Sequence, residues 1–187
     1  MSAPKPHKNT AGHRAKAAHH AAKKAVRKKK CNECNKQPCD AALPEDVTTR
    51  EVALTIFAEA NPTSDNDEFE GIASVIHNRV GKQGFGKPKD IHSVLTKTYF
   101  DRKKGKTMYQ FQGYQNPRYK KGESKNLDTN ECLALKKSID AAQKIAKDGV
   151  PEEHQNFLFF AAAKDVSKAK KASGTVLGST VFGPKEF

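Results

Sequence analysis

Apolar positions return at helical spacing in three stretches of this chain and crowd together in two short late runs. In the first stretch Val52, Ala53, Ile56, Phe57 and Ala60 share one face behind Thr48 or Thr49, either of which offers a capping hydroxyl. Glu51 falls in its first turn, and Asn61-Pro62 ends it. The polar cluster 63–67 announces a second helix carrying Phe69, Ile72, Ala73, Ile76 and Val80, with Gly81 as its stop. These two predict an antiparallel helical hairpin. A third helix is expected over about 128–147, with Leu135, Ile139, Ala142 and Ala146 on one stripe and Gly149-Val150-Pro151 closing it. Residues 81–90 read as a Gly/Lys loop and 90–95 as a helical turn. Residues 97–126, rich in aromatics, Gln and Gly but without period, predict a long irregular segment outside the core. The apolar run 157–160 and the β-branched stretch 175–182, split by Gly178, predict a small late β-hairpin or sheet pair. The expected fold class is α+β, mainly helical.

Charge divides the chain in two. The formal net charge is +13 over 187 residues, yet residues 1–30 hold ten Lys/Arg and no acid, which leaves 24 basic against 21 acidic residues downstream. In those thirty residues Val26 is the one sizeable apolar group, too little to offset the entropy of ordering. The organisation expected is a disordered basic tail over 1–45 and one folded domain over 46–187, and removal of residues 1–40 should leave the fold intact. A basic arm on a near-neutral domain argues against a nucleic-acid-binding fold, which would carry its positive patch on the folded part. It suits a membrane surface, an anionic wall polymer or an acidic partner. No apolar run follows the basic start, so no secretory signal is expected, and no stretch approaches a membrane span.

Cys31, Cys34 and Cys39 are spaced C-x2-C-x4-C, with Cys132 far downstream. A fourth ligand is missing where a zinc site would need one, so the cluster reads as thiols or a disulfide within itself, and Cys132 as a small buried residue beside Leu133 and Leu135. His77, His92 and His154 stand on separate elements without ligand spacing. Neither a metal nor a cofactor is expected.

Glu59 draws notice by position: on a helical wheel it lies beside Val52 at the margin of the apolar face, in the last turn. Partial burial and the negative end of the helix dipole both favour a protonated carboxyl. Two readings stay open on position alone, a solvated carboxylate over a buried stem and a proton donor for a glycosidic oxygen.

The segment 53–60, Ala-Leu-Thr-Ile-Phe-Ala-Glu-Ala, followed by 71–80, Gly-Ile-Ala-Ser-Val-Ile-His-Asn-Arg-Val, resembles the opening of the SleB-type cell-wall hydrolases. Residues 109–114 are similar to that family's Gln-Phe-Ser segment, and 157–161 with 178–182 to its closing strand and Gly-x-x-x-Phe ending. Where the family continues with Arg-Gly-Glu-Pro, this chain has Asn61-Pro62-Thr63-Ser64. The resemblance implies a lysozyme-like domain that cleaves peptidoglycan strands between N-acetylmuramic acid and N-acetylglucosamine, as a lytic transglycosylase or muramidase, with Glu59 as catalytic acid. A hydrolase would add a second carboxylate, for which Glu70 and Asp101 are the candidates. Glycan contacts are expected from Gln110, Phe111, Gln112 and Tyr114, with Tyr109 and Tyr119 as further ring faces, Asn116 and Arg118 as donors, and Asn78 and Arg79 from the matched motif. The competing reading is a non-catalytic basic module that grips wall polymer or nucleic acid. The expected enzyme is a monomer, made in the cytoplasm and delivered to the periplasm or cell wall as a phage lysis component or, preferred for its basic arm, a type VI secretion effector. An upstream delivery module and an immunity protein would then be partners, and nucleic acid would not.

Overall fold

The computed structural model describes residues 38–185; the basic arm with Cys31 and Cys34 lies outside them. The described chain is a mixture of helix and strand. Helix α1 (Val47–Glu59) is capped by Asp46, whose carboxylate accepts from Thr49 N at 2.7 Å, so the cap lies upstream of the threonines expected. Its residues Val52 to Phe57 are buried without interruption, the mark of a helix enclosed on all sides rather than laid on a surface. Around it pack α2 (Asn66–Asn78), α3 (Ile91–Leu95), α4 (Pro117–Ser124) and α5 (Thr129–Asp148). A short α6 (Lys168–Lys171) follows.

Helix α5 is the most regular element. Asp128 and Glu131 form a reciprocal capping box, Leu135, Ile139, Ala142 and Ile145 face the core, and Gly149, at φ 82°, stops the helix. Helix α2 starts at Asp65, whose carboxylate accepts from Glu68 N.

Residues 97–126 differ from the irregular segment expected. Strands β1 (Thr98–Asp101) and β2 (Lys106–Tyr109) form an antiparallel hairpin, whose turn Asp101 closes by accepting from Lys103 N and Lys104 N. Helix α4 then starts on the Asn116 cap with Pro117 in its first turn. The aromatics of this stretch are scattered because each anchors a different short element: Phe111, Tyr114 and Tyr119 are all core residues. The late β element is larger than a pair. Strands β4 (Thr175–Leu177) and β5 (Thr180–Gly183) flank a tight turn at Gly178, and β3 (Phe159–Ala162) adds to β5, giving the antiparallel order β3-β5-β4.

Cys39 is bonded to Cys132 across 93 residues, so Cys39 does not pair within its own cluster and Cys132, expected as a small buried residue, is a half-buried disulfide partner; Cys31 and Cys34 lie outside the described residues. Cys39 and Ala41 are buried in the core, Cys39 N donates to Lys125 O, and Arg50 Nε donates to Pro44 O. The residues from Pro38 onward therefore pack with the domain, and truncation at residue 40 would remove half of a disulfide. No helix among the described residues is long and apolar enough to cross a membrane.

Candidate active site

Helix α1 ends at Glu59 because the chain must turn at Asn61-Pro62, and this end opens into a cleft of about 730 Å³, within the usual range for ligand sites. Glu59 Oε1 accepts from Gly113 N at 2.5 Å. Burial raises the Glu59 pKa above the ordinary 4.5, against the opposing pull of the Gly113 N–H and of the Arg79 and Arg118 charges. The result is a half-buried carboxyl that lines the cleft with one oxygen held by the Gly113 N–H.

Gly113 makes this possible by having no side chain. A Cβ there would stand 2.9 Å from Ala58 Cβ and 2.9 Å from Glu59 Cγ. Gly113→Ala should displace Glu59, costing about 1–3 kcal/mol of stability as an overpacked contact and about a hundredfold in any activity that depends on the carboxyl's position. Parallel melting and turnover measurements on the variant check both; an alanine protein that keeps full activity would mean that Glu59 tolerates displacement.

Two guanidinium groups flank the acid. Arg118 Nη1 donates to Ala60 O, its charge lies 4.6 Å from the Phe57 ring centroid, and its Nη2 is buried without a hydrogen-bond partner among the described residues. Arg79 is clasped between Phe85, at 4.4 Å, and Phe111, at 4.8 Å, while its Nε donates to Leu158 O. Both arginines line the cleft.

The second carboxylate in the cleft is Glu68, not Glu70. Glu68 is 1% exposed. Its Oε1 accepts from Asn61 N, and its Oε2 from Ser64 Oγ, Ser179 N and Ser179 Oγ, at 2.7 to 3.2 Å. It ties the α1–α2 connection to the β4–β5 turn, where a Cβ on Gly178 would come 2.7 Å from Oε2. With both oxygens occupied, Glu68 is a brace between two cleft walls. Its signal in the sequence is its place four residues before Ile72 and seven before Val75, on the apolar face of α2.

Of the other expected site residues, Gln110 and Gln112 line the cleft. Phe111 and Tyr114 do not serve as glycan platforms: they are 0% and 6% exposed, Phe111 under Arg79 and Tyr114 with its hydroxyl donating to Glu51. Tyr119 is likewise buried, and burial pushes both tyrosine pKa values up. Asn78 Nδ2 donates to His154 O and Phe157 O, so it ties α2 to the segment before β3. Glu70 pairs with Lys144 at 2.7 Å away from the cleft, drawn there by the charge on α5. Asp101 sits in the hairpin turn. Asn116 is a helix cap. Among the described residues, the grouping with metal-ligating chemistry is Cys39, Asp40 and Cys132, whose two sulfurs are bonded to each other.

The chain matches no family model, and comparison with curated proteins and with solved structures finds no match for it.

Proposed function

We propose that this domain cleaves the glycan strands of peptidoglycan, with Glu59 as the proton donor. The observation that carries the reading is the half-buried Glu59 carboxyl lining the cleft, its pKa raised, with Oε1 pinned by Gly113. Arg79 and Arg118 favour the carboxylate that remains once the proton has gone to the glycosidic oxygen. The likeness to SleB-type hydrolases, from 53–60 to 178–182, supplies the substrate class. The Cys39–Cys132 disulfide supports action in an oxidising compartment such as the periplasm, and with it delivery as an effector or lysis component.

The charge balance within the cleft favours a lytic transglycosylase over a muramidase. Its carboxylates are Glu59 and Glu68, and every oxygen of Glu68 is already accepting hydrogen bonds. A hydrolase needs a second carboxylate to act as nucleophile or to activate water. In the transglycosylase route Glu59 protonates the leaving oxygen, then as carboxylate takes the proton of the muramic acid 6-hydroxyl as that oxygen closes on the anomeric carbon. No water is consumed. Mass spectrometry of fragments released from purified peptidoglycan should therefore find anhydro ends, one water lighter than reducing ends. Exclusively reducing ends would refute the ring-closing route, and intact strands would refute cleavage itself.

A further inference from the structure

The cleft continues past Arg79. A second hollow, of about 490 Å³, shares Arg79, Gln110 and Gln112 with it and is bounded by Phe85 and Tyr99. Phe85 also borders a third hollow, of about 410 Å³, whose charged lining residues are Lys87, Lys89 and Lys97, with no carboxylate among them. The Glu59 cleft and the aromatic hollow thus share a wall, and Phe85 stands between that hollow and the cationic one.

The lysines at that end are exposed, and none pairs with a carboxylate among the described residues. The acid next to Lys89, Asp90, is engaged as the cap of α3, accepting from Ser93 N at 2.7 Å. Lys97 folds back over the turn at Gly86, where φ is +75° and a Cβ would lie 3.0 Å from its Nζ. Three exposed lysines lining one hollow, with Asp90 beside Lys89 offsetting only part of their charge, favour an anionic ligand. A bare glycan strand offers hydroxyl and acetamido groups and one lactyl carboxylate held close against each muramic acid ring, which leaves lysines set off to the side of the strand poorly matched. Peptide stems on such a strand supply free carboxylates.

We propose that the ligand of this extended groove is the glycan strand still bearing its peptide stems, with stem carboxylates seated on Lys87, Lys89 and Lys97. This rests on the reading of the Glu59 cleft as a glycan site. It makes the lysines specificity determinants, remote from the bond that breaks.

The test separates the two readings by measuring binding apart from cleavage. Full-length protein carrying Glu59→Gln is titrated onto insoluble peptidoglycan and onto the same material stripped of its stems by an amidase, which keeps a lactyl carboxylate on each muramic acid and so isolates the carboxylates of the stems, with and without Lys87→Gln/Lys89→Gln/Lys97→Gln. Peptide-bearing strands should bind about tenfold more tightly, as expected of three exposed ion pairs, and the margin should shrink as salt rises. The triple substitution should bring the affinity for peptide-bearing strands down to that for stripped ones, with an unchanged melting temperature showing that the fold is kept. Equal affinity for the two materials overturns the proposal. So does a preference that survives the triple substitution, or an equal loss on both materials, which would mark the lysines as a general polymer grip. A lysine-dependent preference in a protein whose Glu59 form cleaves nothing would sustain this inference and refute the active-site reading.

Discussion

Glu59→Gln is expected to lower peptidoglycan cleavage by about 10²–10⁴-fold, the usual worth of a general acid, while the protein stays folded. The amide keeps an oxygen that can accept from Gly113 N, so the geometry at the end of α1 survives and the transferable proton alone is lost. Stability should move the other way. The folded Glu59 pKa lies above its ordinary 4.5 because burial penalises the carboxylate. Stability contributed by the neutral carboxyl is therefore complete below about pH 4.5 and is lost as pH rises through the folded pKa. A glutamine never ionises. The variant should consequently melt higher than the parent at neutral pH, and the gap should close on acidification. Turbidity clearance and melting curves of both proteins at several pH values check the pair of effects. A folded variant that clears peptidoglycan within a few fold of the parent would remove Glu59 from the reaction, and the likeness to SleB-type hydrolases would then concern fold without mechanism.

How much of this was legible in the sequence depended on how local its causes are. Helix α5 could be read because its cap, stripe and stop, from Asp128 through Leu135 and Ile139 to Gly149, lie within one segment. Glu59 could be picked out for the same reason, since its distance from Val52 along α1 puts it at the edge of the buried face. Residues 97–126 resisted because their order is imposed from outside. Phe111 is buried by Arg79 arriving from the end of α2, and Tyr114 by Glu51 on α1, so no period within the segment reports either. Gly113 belongs to the same class: its need to be glycine exists only where the loop crosses Glu59. Glu70 is named from the sequence and Glu68 missed because spacing from Glu59 says nothing of which carboxylate faces Lys144 and which faces Ser179. The disulfide was the least legible feature. Three clustered cysteines suggest a local solution, whereas Cys39 pairs with the residue that α5 carries to it from 93 positions away.

That disulfide carries the largest expected stability effect in the domain. Closing a loop of about a hundred residues removes conformational freedom from the unfolded chain worth up to about 4.7 kcal/mol, and loss of a native disulfide commonly costs about 2–5 kcal/mol. For a chain of this size each kcal/mol moves the melting temperature by about 2–4 °C, so Cys39→Ser/Cys132→Ser should melt about 10 °C below the parent. The loss is not confined to the staple. Cys39 is buried, its N–H bonds Lys125 at the end of α4, and the following residues carry the carbonyl that Arg50 binds, so releasing the sulfur loosens the strap that crosses α1 and α5. The end of α1 that bears Glu59 lies away from this strap's anchor at Arg50, at the other end of the same helix. Activity at low temperature should accordingly persist in the double variant. Reductant distinguishes this bond from any other thiol chemistry in the chain: it should lower the parent's melting temperature to that of the variant and leave the variant where it was. Scanning calorimetry of both proteins, oxidised and reduced, decides the matter. A double variant that melts within about 2 °C of the oxidised parent, or that reductant destabilises further, would show that the fold draws its stability from elsewhere.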